Sequence, residues 1–301
     1  MKTIKTFAFT TAFAVLLSTA FTSCRKHSKE EEEDNDTSEA QDHTLAQTTS
    51  NDITSMVSEV SETGSSSSYR QGNNDVFGLG CSTVYRDTVR RVDSVVFAGT
   101  CLDGKPRSGS LTFTYASNTA MHYRNPGFSC TVKSYNYVVN GNQVNIISKN
   151  ITNTTAPGFN AANTNLTWSI TGNISVVKSG GGTHSFSYNH IKTLLNTSDP
   201  NVYHGQSIAI SWNLARVGFA GNASGTTANG RSYSANITSQ LVRDRACSPD
   251  VNHPGHHPFI QGTIDFSPSG KATRTIDYGN GNCDLNATVT INGHSHAITL
   301  P

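Results

Sequence analysis

The sequence predicts an all-β fold: antiparallel hairpins that form a sandwich or an elongated twisted sheet, preceded by a disordered tether with one short helix. Apolar residues recur at every second position through much of residues 77–301, which places one set of side chains in a core and the other in water. Turn pairs such as Asp103-Gly104, Asn140-Gly141 and Asn292-Gly293 separate these stretches. One apolar face per strand is typical of antiparallel sheets.

Residues 1–23 have the composition of an export signal. Lys2 and Lys5 precede an apolar stretch, 7–17, that is too short to cross a bilayer. The following LLSTAFTSC places Cys24 after small and hydroxylated residues. This resembles a bacterial lipobox, in which the signal is removed before a cysteine that then carries lipid. An ordinary secretory signal cleaved nearby is the alternative.

Residues 24–76 are predicted to be an acidic, Ser- and Thr-rich tether with almost no aromatic residues. One patch within it has the apolar spacing of a helix face and predicts a short helix over 51–61. That helix either docks on the following domain or forms only in part. The apolar residues with this spacing are Ile53, Met56, Val57 and Val60.

Charge divides the chain sharply near residue 62. Residues 24–62 contain 3 Lys or Arg and 11 Asp or Glu, a balance of −8. Residues 63–301 contain 17 Lys or Arg and 10 Asp, a balance of +7. Because no glutamate follows Glu62, any carboxylate chemistry in the later part must use aspartate. The near-neutral total therefore combines an acidic tether with a basic domain.

Residues 77–301 are long enough for one substantial core and are predicted to form a single all-β domain. The alternating pattern predicts about a dozen strands or more in consecutive hairpins. The clearest stretches are 111–115, 166–171, 185–189, 207–214, 233–237 and four short ones within 259–301.

Several segments of this domain resemble a family of uncharacterised Bacteroidetes lipoproteins. Its members pair a CxDGxxRxG hairpin with a final DYGxGxCDxxATVTING hairpin, and the similarity spans nearly all of 81–301. The resemblance implies an all-β fold and a lipoprotein location, and it carries no assigned activity. The block 25–34 also resembles the lysine-then-acidic export signals of surface lipoproteins in the same group, which implies an outer-membrane protein facing the cell exterior. The matching segments are CLDGKPRSG, SYNYVVNG, GQSIAISWNLARVGFAG, ANGRSYSANITSQLV and TIDYGNGNCDLNATVTING.

With Cys24 lipidated, five cysteines remain. An odd number in an exported protein predicts two disulfides and one free thiol, and the residues alone leave the pairing open. The resemblance implies that Cys130 is the free thiol. The pairs implied by the family-like positions are Cys81–Cys101 and Cys247–Cys283.

Two loops carry residue types that bind metals. Histidines in 252–258 are common zinc ligands, but the Pro- and Gly-rich loop matches no closed tetrahedral motif. The loop 277–284 presents oxygen ligands that suit calcium, although Asn and Asp also satisfy backbone groups in wide hairpins. The candidate ligands are His253, His256 and His257 in the first loop, and Asp277, Asn280, Asn282 and Asp284 in the second.

One strand face combines His184, Phe186, Tyr188 and His190. Such a row is either an exposed aromatic binding strip or part of the core with histidines at its rim. No nucleophile-elbow or zinc-protease motif occurs. The sequence therefore predicts no catalytic residue and no cofactor.

Basic residues fall into three clusters of the domain. If they line one face, they would hold an anionic polysaccharide or another surface polymer; the alternative is ordinary solubilising charge. The clusters are Arg86, Arg90 and Arg91; Lys105 and Arg107; and Arg243 and Arg245.

The leading functional hypothesis is a surface-exposed lipoprotein that binds glycan or another polymer. The alternative is a structural or assembly lipoprotein without its own ligand, and a hydrolase is less well supported. Nucleic acid is not expected as a partner of an exported protein. An exposed aromatic or basic strip would favour binding, a plain Ser, Thr and Asn surface would favour the structural role, and a deep polar pocket would favour an enzyme.

Anchoring through Cys24 is directly testable. We expect the wild-type protein to partition into the detergent phase after membrane extraction, because two or more acyl chains give stable membrane binding. Cys24→Ala is expected to be soluble or to remain unprocessed. A wild-type protein that is released with an unmodified Cys24 would contradict the lipobox interpretation.

Overall fold

One α-helix and thirteen β-strands make up the fold in a computed structural model of the chain, which describes residues 34–63, 80–116, 122–158, 165–205, 210–253 and 255–301. The helix, α1, is Ser38–Thr63, and a short 3-10 turn lies at Trp212–Leu214. The strands are β1 Ser82–Asp87, β2 Val92–Thr100, β3 Pro106–Tyr115, β4 Ser129–Val139, β5 Asn142–Asn153, β6 Thr167–Val177, β7 Thr183–Leu194, β8 Arg216–Thr226, β9 Ser232–Asp244, β10 Phe259–Pro268, β11 Arg274–Asn280, β12 Asn286–Ile291 and β13 His294–Thr299.

All thirteen strands belong to one sheet, in which each strand pairs with its neighbours in the sequence. Every pairing is antiparallel. Asn140 and Asn292 adopt positive φ angles of 50° and 51° at two of the hairpin turns, as the Asn-Gly pairs require. The prediction of an all-β fold of consecutive antiparallel hairpins is confirmed, and the hairpins form one continuous sheet.

The sheet surrounds the helix α1, which is an interior element of the fold. Nearly every residue from 39 to 62 is buried, including polar ones such as Gln47 and Asn51. Hydrogen bonds and ion pairs join the helix to strands far apart in the sheet order, so the sheet curls around it. Sheet residues that contact helix residues include Arg86 of β1, Lys149 of β5, Tyr188 of β7, Arg243 of β9 and Tyr278 of β11.

One stripe of the helix is less covered than the rest. Gln41 is exposed, and Leu45 and Thr48 are partly exposed, which is the spacing of a single helix face. A cavity of about 240 Å³ lies beside this stripe, between the helix and the Ile298 end of β13. The helix is thus buried on most of its surface and accessible along this one narrow stripe.

The predicted helix over 51–61 is too short, and the predicted tether of 24–76 includes residues that belong to the folded domain. The helix is 26 residues long, and the compact unit that contains it runs from Asn35 to Pro301, so the domain begins well before residue 77. Apolar periodicity detects only the second half of the helix, because the first half is buried by polar contacts. The predicted signal peptide 1–23, Cys24 and the tether segments 24–33 and 64–76 lie outside the described residues.

The apolar core forms between the inner face of the sheet and the second half of α1. Ile53, Met56, Val57 and Val60 are fully buried. The sheet contributes alternating inward side chains, while the outward positions of the same strands are mostly Ser, Thr and Asn. Fully buried sheet residues of this core include Val95, Leu111, Phe113, Val132, Trp168 and Phe186.

Two disulfides fasten the ends of the sheet. Cys81–Cys101 joins the start of β1 to the end of β2, with Cα atoms 4.6 Å apart. Cys247–Cys283 joins the segment after β9 to the β11–β12 connection, with Cα atoms 5.5 Å apart. Cys130 is buried and free. The pairing that the family resemblance implied is therefore the one the structure has, and each bridge contributes about 3 kcal/mol of stability by restricting the unfolded chain.

Candidate functional site

Most of the predicted basic clusters face the helix. Side chains of Lys105, Arg107, Arg243 and Arg245 are between 0% and 12% exposed, and Arg86 is 26% exposed. Arg90, at 83%, and its neighbour Arg91, which donates a 2.8 Å hydrogen bond to the Ala116 carbonyl, lie on the surface. Arg86 is also accessible from outside, although its guanidinium bonds to the buried Asp93. The prediction of an exposed basic face at these seven residues is wrong, because five of them are turned toward the interior.

The acidic residues of segment 36–62 are the partners of this basic interior. Residues 36–62 contain six acidic side chains and no Lys or Arg, and each of the six pairs with a basic side chain of the later part of the chain. Burial of an unpaired ion is strongly unfavourable, so a covered ionisable group either pairs with an opposite charge or becomes neutral through a shift of its pKa. The ion pairs are Asp36–Lys271 (3.1 Å), Glu39–Arg231 (3.3 Å), Asp42–Lys178 (2.5 Å), Asp52–Lys105 (3.4 Å), Asp52–Arg243 (2.7 Å), Glu59–Arg245 and Glu62–Arg124.

Asp52 is the most connected of these acids. Its Oδ1 accepts a 2.7 Å hydrogen bond from Arg243 Nη2, and its Oδ2 lies 3.4 Å from Lys105 Nζ. Burial on its own would raise the pKa of Asp52, but the positive charges of Lys105, Arg243 and Arg107 outweigh it and hold the pKa well below the usual carboxyl range. Arg107 in turn makes a two-pronged contact with Asp103, at 2.7 and 2.6 Å.

A second interior contact joins a lysine to two hydroxyls. Lys149 Nζ lies 2.6 Å from the Tyr188 hydroxyl and 3.1 Å from Ser50 Oγ, and Ser50 Oγ donates a 2.7 Å hydrogen bond to Tyr188. Burial lowers the pKa of Lys149 to about 7. Such a lysine–hydroxyl set could transfer protons, but all three residues are buried. In this position the set fixes the middle of α1 to β5 and β7.

Lys192 occupies an aromatic cage. Its Nζ lies 4.7 Å from the Trp212 ring centroid, 4.9 Å from that of Tyr123 and 5.4 Å from that of Trp168. Burial lowers the pKa of Lys192 well below its usual range. The cage resembles those that bind ligand cations, but here the chain's own lysine fills it.

The row His184, Phe186, Tyr188 and His190 belongs to the core. All four side chains are buried, and His43 of the helix packs against Phe186 with ring centroids 5.5 Å apart. Burial lowers the pKa of His184 to about 4 and that of His190 to about 3. The core interpretation of this row is therefore correct, and the exposed-strip interpretation is wrong.

The predicted calcium loop satisfies its own backbone. Asp277 Oδ1 accepts a 2.8 Å hydrogen bond from the Gly279 N–H, and Asp284 Oδ1 accepts one of the same length from Asn286. This is the turn role that Asp commonly has in wide hairpins. Asn280 and Asn282 lie in the same connection, and the geometry gives no reason to assign a cation there.

The three histidines of the predicted metal site each contact a different partner. His253 Nδ1 contacts Asp250, His256 Nε2 lies 2.9 Å from the Pro301 oxygen, and His257 Nδ1 lies 2.7 Å from the Cys247 carbonyl. Within the part of the chain that the structure describes, no group of three or more His, Cys, Asp or Glu side chains is placed to hold a metal ion. The metal-binding interpretation of these histidines therefore gains no support.

The outer face of β1–β5 carries four large, exposed apolar side chains on four of its five strands. We call Tyr85, Val96, Tyr135 and Ile147 the outer strip. Their exposed fractions are 61%, 41%, 72% and 68%. Large apolar side chains are few at the other outward positions of the described strands. Exposed apolar side chains that are grouped on one part of a surface are typical of a binding site.

The strand register places these side chains in neighbouring rows. Val96 of β2 pairs with Ser110 of β3, and Ser110 pairs with Tyr135 of β4. Tyr85 of β1 pairs with Ser94 and is therefore the diagonal neighbour of Val96. The strip thus crosses the strands, and does not follow any one of them.

Two strip residues, Tyr135 and Ile147, lie at bulges. Between the Ser108–Val138 and Ser110–Tyr135 pairs, β4 has two residues where β3 has only Gly109. Gly109 is required there, because a Cβ atom would lie 2.0 Å from the Asn136 carbonyl oxygen. In β5, Ile147 is the extra residue of a second irregularity, between Ile146 and Ser148. Bulges of this kind re-aim side chains next to functional surfaces.

Sequence reasoning missed both the inward basic residues and the outer strip, although the alternation contains a signal for each. Arg243 has the same parity as Leu241, and Lys149 the same parity as Ile151, which indicates an inward side chain in each case. The outward parity of Tyr85 could also be read. At Tyr135 and Ile147 bulges break the alternation, so that the buried Tyr137 and Lys149 would indicate the opposite direction.

Comparisons with known proteins gave no matching family model, no similar curated protein and no similar solved structure. Within the described residues, no helix is both long and apolar enough to span a bilayer.

The interior ion pairs make a direct prediction for Asp52. Asp52→Asn is expected to lower the free energy of unfolding by about 3–5 kcal/mol, because Arg243 and Lys105 lose their buried counter-charge. Urea denaturation measures this change. Asp87→Asn is the matched control: its pair with Arg90 is exposed at 3.8 Å and is expected to change stability by less than about 1 kcal/mol. Equal effects of the two substitutions would contradict a stabilising role for the interior pairs.

Proposed function

We propose that this chain is an outer-membrane lipoprotein, anchored through Cys24 and facing the cell exterior, that binds a surface glycan or another polymer through the outer strip. The anchoring part rests on the lipobox-like sequence before Cys24 and on the acidic block after it. The family relationship to Bacteroidetes lipoproteins is part of the proposal, and the two disulfides at the motif cysteines are consistent with it.

The observation that carries the binding role is the exposure of all four outer-strip side chains on one part of the sheet. Two tyrosine rings and two aliphatic side chains lie on a face whose other positions are mainly hydroxyl and amide side chains. Such a surface offers flat rings for stacking and polar groups for hydrogen bonds. It is shallow, as a surface that holds a long chain needs to be, and unlike a pocket that encloses a small molecule.

A structural or assembly lipoprotein remains the second candidate function. The observation that favours it is the large share of Ser, Thr and Asn at outward positions of β6–β9, which forms a plain polar surface. On that proposal the helix-filled domain is a rigid spacer and the outer strip has no ligand.

The two proposals differ in what the outer strip does. The mature protein is tested for retention on a panel of immobilised neutral and anionic polysaccharides. We expect binding to at least one polymer, and we expect Tyr85→Ala with Tyr135→Ala to reduce it by at least about tenfold, since each aromatic contact is worth roughly 1 kcal/mol. Thermal unfolding checks that the double variant is folded.

The control is Ile191→Ser, which removes an apolar residue that is 42% exposed on β7, away from the strip. It is expected to bind like the wild type. Equal loss in the control and the strip variant would indicate a non-specific hydrophobic effect. Absence of binding to every polymer would favour the structural role.

A further inference from the structure

The geometry of the outer strip points to one ligand class: we infer that it binds an uncharged, extended polysaccharide whose chain runs diagonally across β1–β4. The inference rests on the proposed function and adds the charge, length and direction of the ligand.

The length follows from the positions of the two rings. Tyr85 and Tyr135 are three strands apart, and their rows are offset by two residues along the strands. With strand spacings of about 4.8 Å and a rise of about 3.3 Å per residue, the two positions are about 16 Å apart. A single sugar ring cannot touch both tyrosines, whereas an oligosaccharide of several units can. The ligand is therefore a chain.

The chemistry between the rings is uncharged. The positions that connect Tyr85 to Tyr135 through the register are Ser94, Thr112 and Ser110, and all three are partly exposed. Hydroxyls both donate and accept hydrogen bonds, as sugar hydroxyls do. A carboxylate or sulfate would instead be matched by guanidinium groups.

The charged side chains near the strip are few. Lys133 pairs with Thr112 and is the one ionisable side chain in the two rows that contain the tyrosines. Arg86, on the same strand as Tyr85, directs its guanidinium to Asp93 (2.7 Å) and to the Val60 carbonyl (3.2 Å). Its charge is therefore paired with Asp93 and is not directed toward the strip. Within these two rows an anionic polymer would find one lysine, too little to hold it against physiological salt.

The aliphatic members lie beside the two rings, with Val96 between Tyr85 and Tyr135 and Ile147 beyond Tyr135. Val96 is the diagonal neighbour of Tyr85, and Ile147 lies on the strand next to Tyr135. An apolar side chain thus lies on the same outer face of the sheet as each tyrosine ring, where it can contact the less polar C–H surface of a pyranose. Two such units, separated by hydroxyl side chains, suit a chain that alternates C–H faces and hydroxyl edges.

The experiment measures affinity of the mature protein for two sets of soluble probes. Xyloglucan and glucomannan are the uncharged set, and polygalacturonate and hyaluronan are the anionic set. We expect binding to an uncharged probe that changes little between low and high salt. We also expect affinity to rise with oligosaccharide length until both tyrosines are spanned, then to level off.

Substitutions at the rings and at the charged residues separate stacking from charge. Tyr85→Ala and Tyr135→Ala are each expected to weaken binding of the uncharged probe by about fivefold, whereas Tyr135→Phe keeps the ring and most of the affinity. Lys133→Gln and the pair Arg90→Glu with Arg91→Glu are expected to change it by less than about twofold. Ile191→Ser is the matched control on a distant strand.

The outcomes distinguish this inference from the proposed function. Strip-dependent binding only to the anionic probes, lost at high salt or in Lys133→Gln, would overturn the ligand class and leave polymer binding in place. Absence of strip-dependent binding to any probe would overturn both. Self-association or binding to lipid vesicles that depends on the two tyrosines would likewise overturn both, because the strip would then serve a second copy of the chain or a membrane.

Discussion

The fold depends on the pairing of acidic side chains on α1 with basic side chains on the inner face of the sheet. Asp52, Glu59 and Glu62 are each buried beside a guanidinium or ammonium group. A buried charge without its partner is strongly destabilising, so neither the helix nor the basic strands can be covered without the other. The sequence of the helix, rich in Ser and Thr, has modest helical propensity. Its structure therefore depends on the sheet that surrounds it.

The inward direction of these basic side chains also determines which residue types lie on the outer face of the sheet. Because Arg107, Arg243 and Arg245 are directed inward, the basic excess of residues 63–301 does not produce a basic outer face. The outward positions are left to Ser, Thr and Asn, interrupted by the outer strip on β1–β5. A partner that recognises hydroxyls and flat apolar faces suits this surface better than one that recognises charge. The interior accounts for stability, and the outer face is where a function is to be sought.

Much of the fold was predictable because alternation and turn chemistry are local. The hairpins at Asn140-Gly141 and Asn292-Gly293 and the antiparallel sheet follow from them, and the disulfide pairing followed from a family resemblance. The first half of α1 was not predictable from apolar periodicity, because its buried residues are polar and their partners lie far away in the sequence. Tyr135 escaped detection for a different reason: the bulge opposite Gly109 is a tertiary feature that shifts the alternation by one residue.

Hydrogen–deuterium exchange of the mature protein tests the central claim most directly, because amide exchange reports how readily each segment opens. If the acidic helix is the interior element around which the sheet is built, the amides of residues 50–60 exchange among the slowest in the chain, at rates close to those of β5–β7. Exchange of these helix amides as fast as that of exposed turns, with the sheet still protected, would contradict the account, because the sheet would then be stable without the helix.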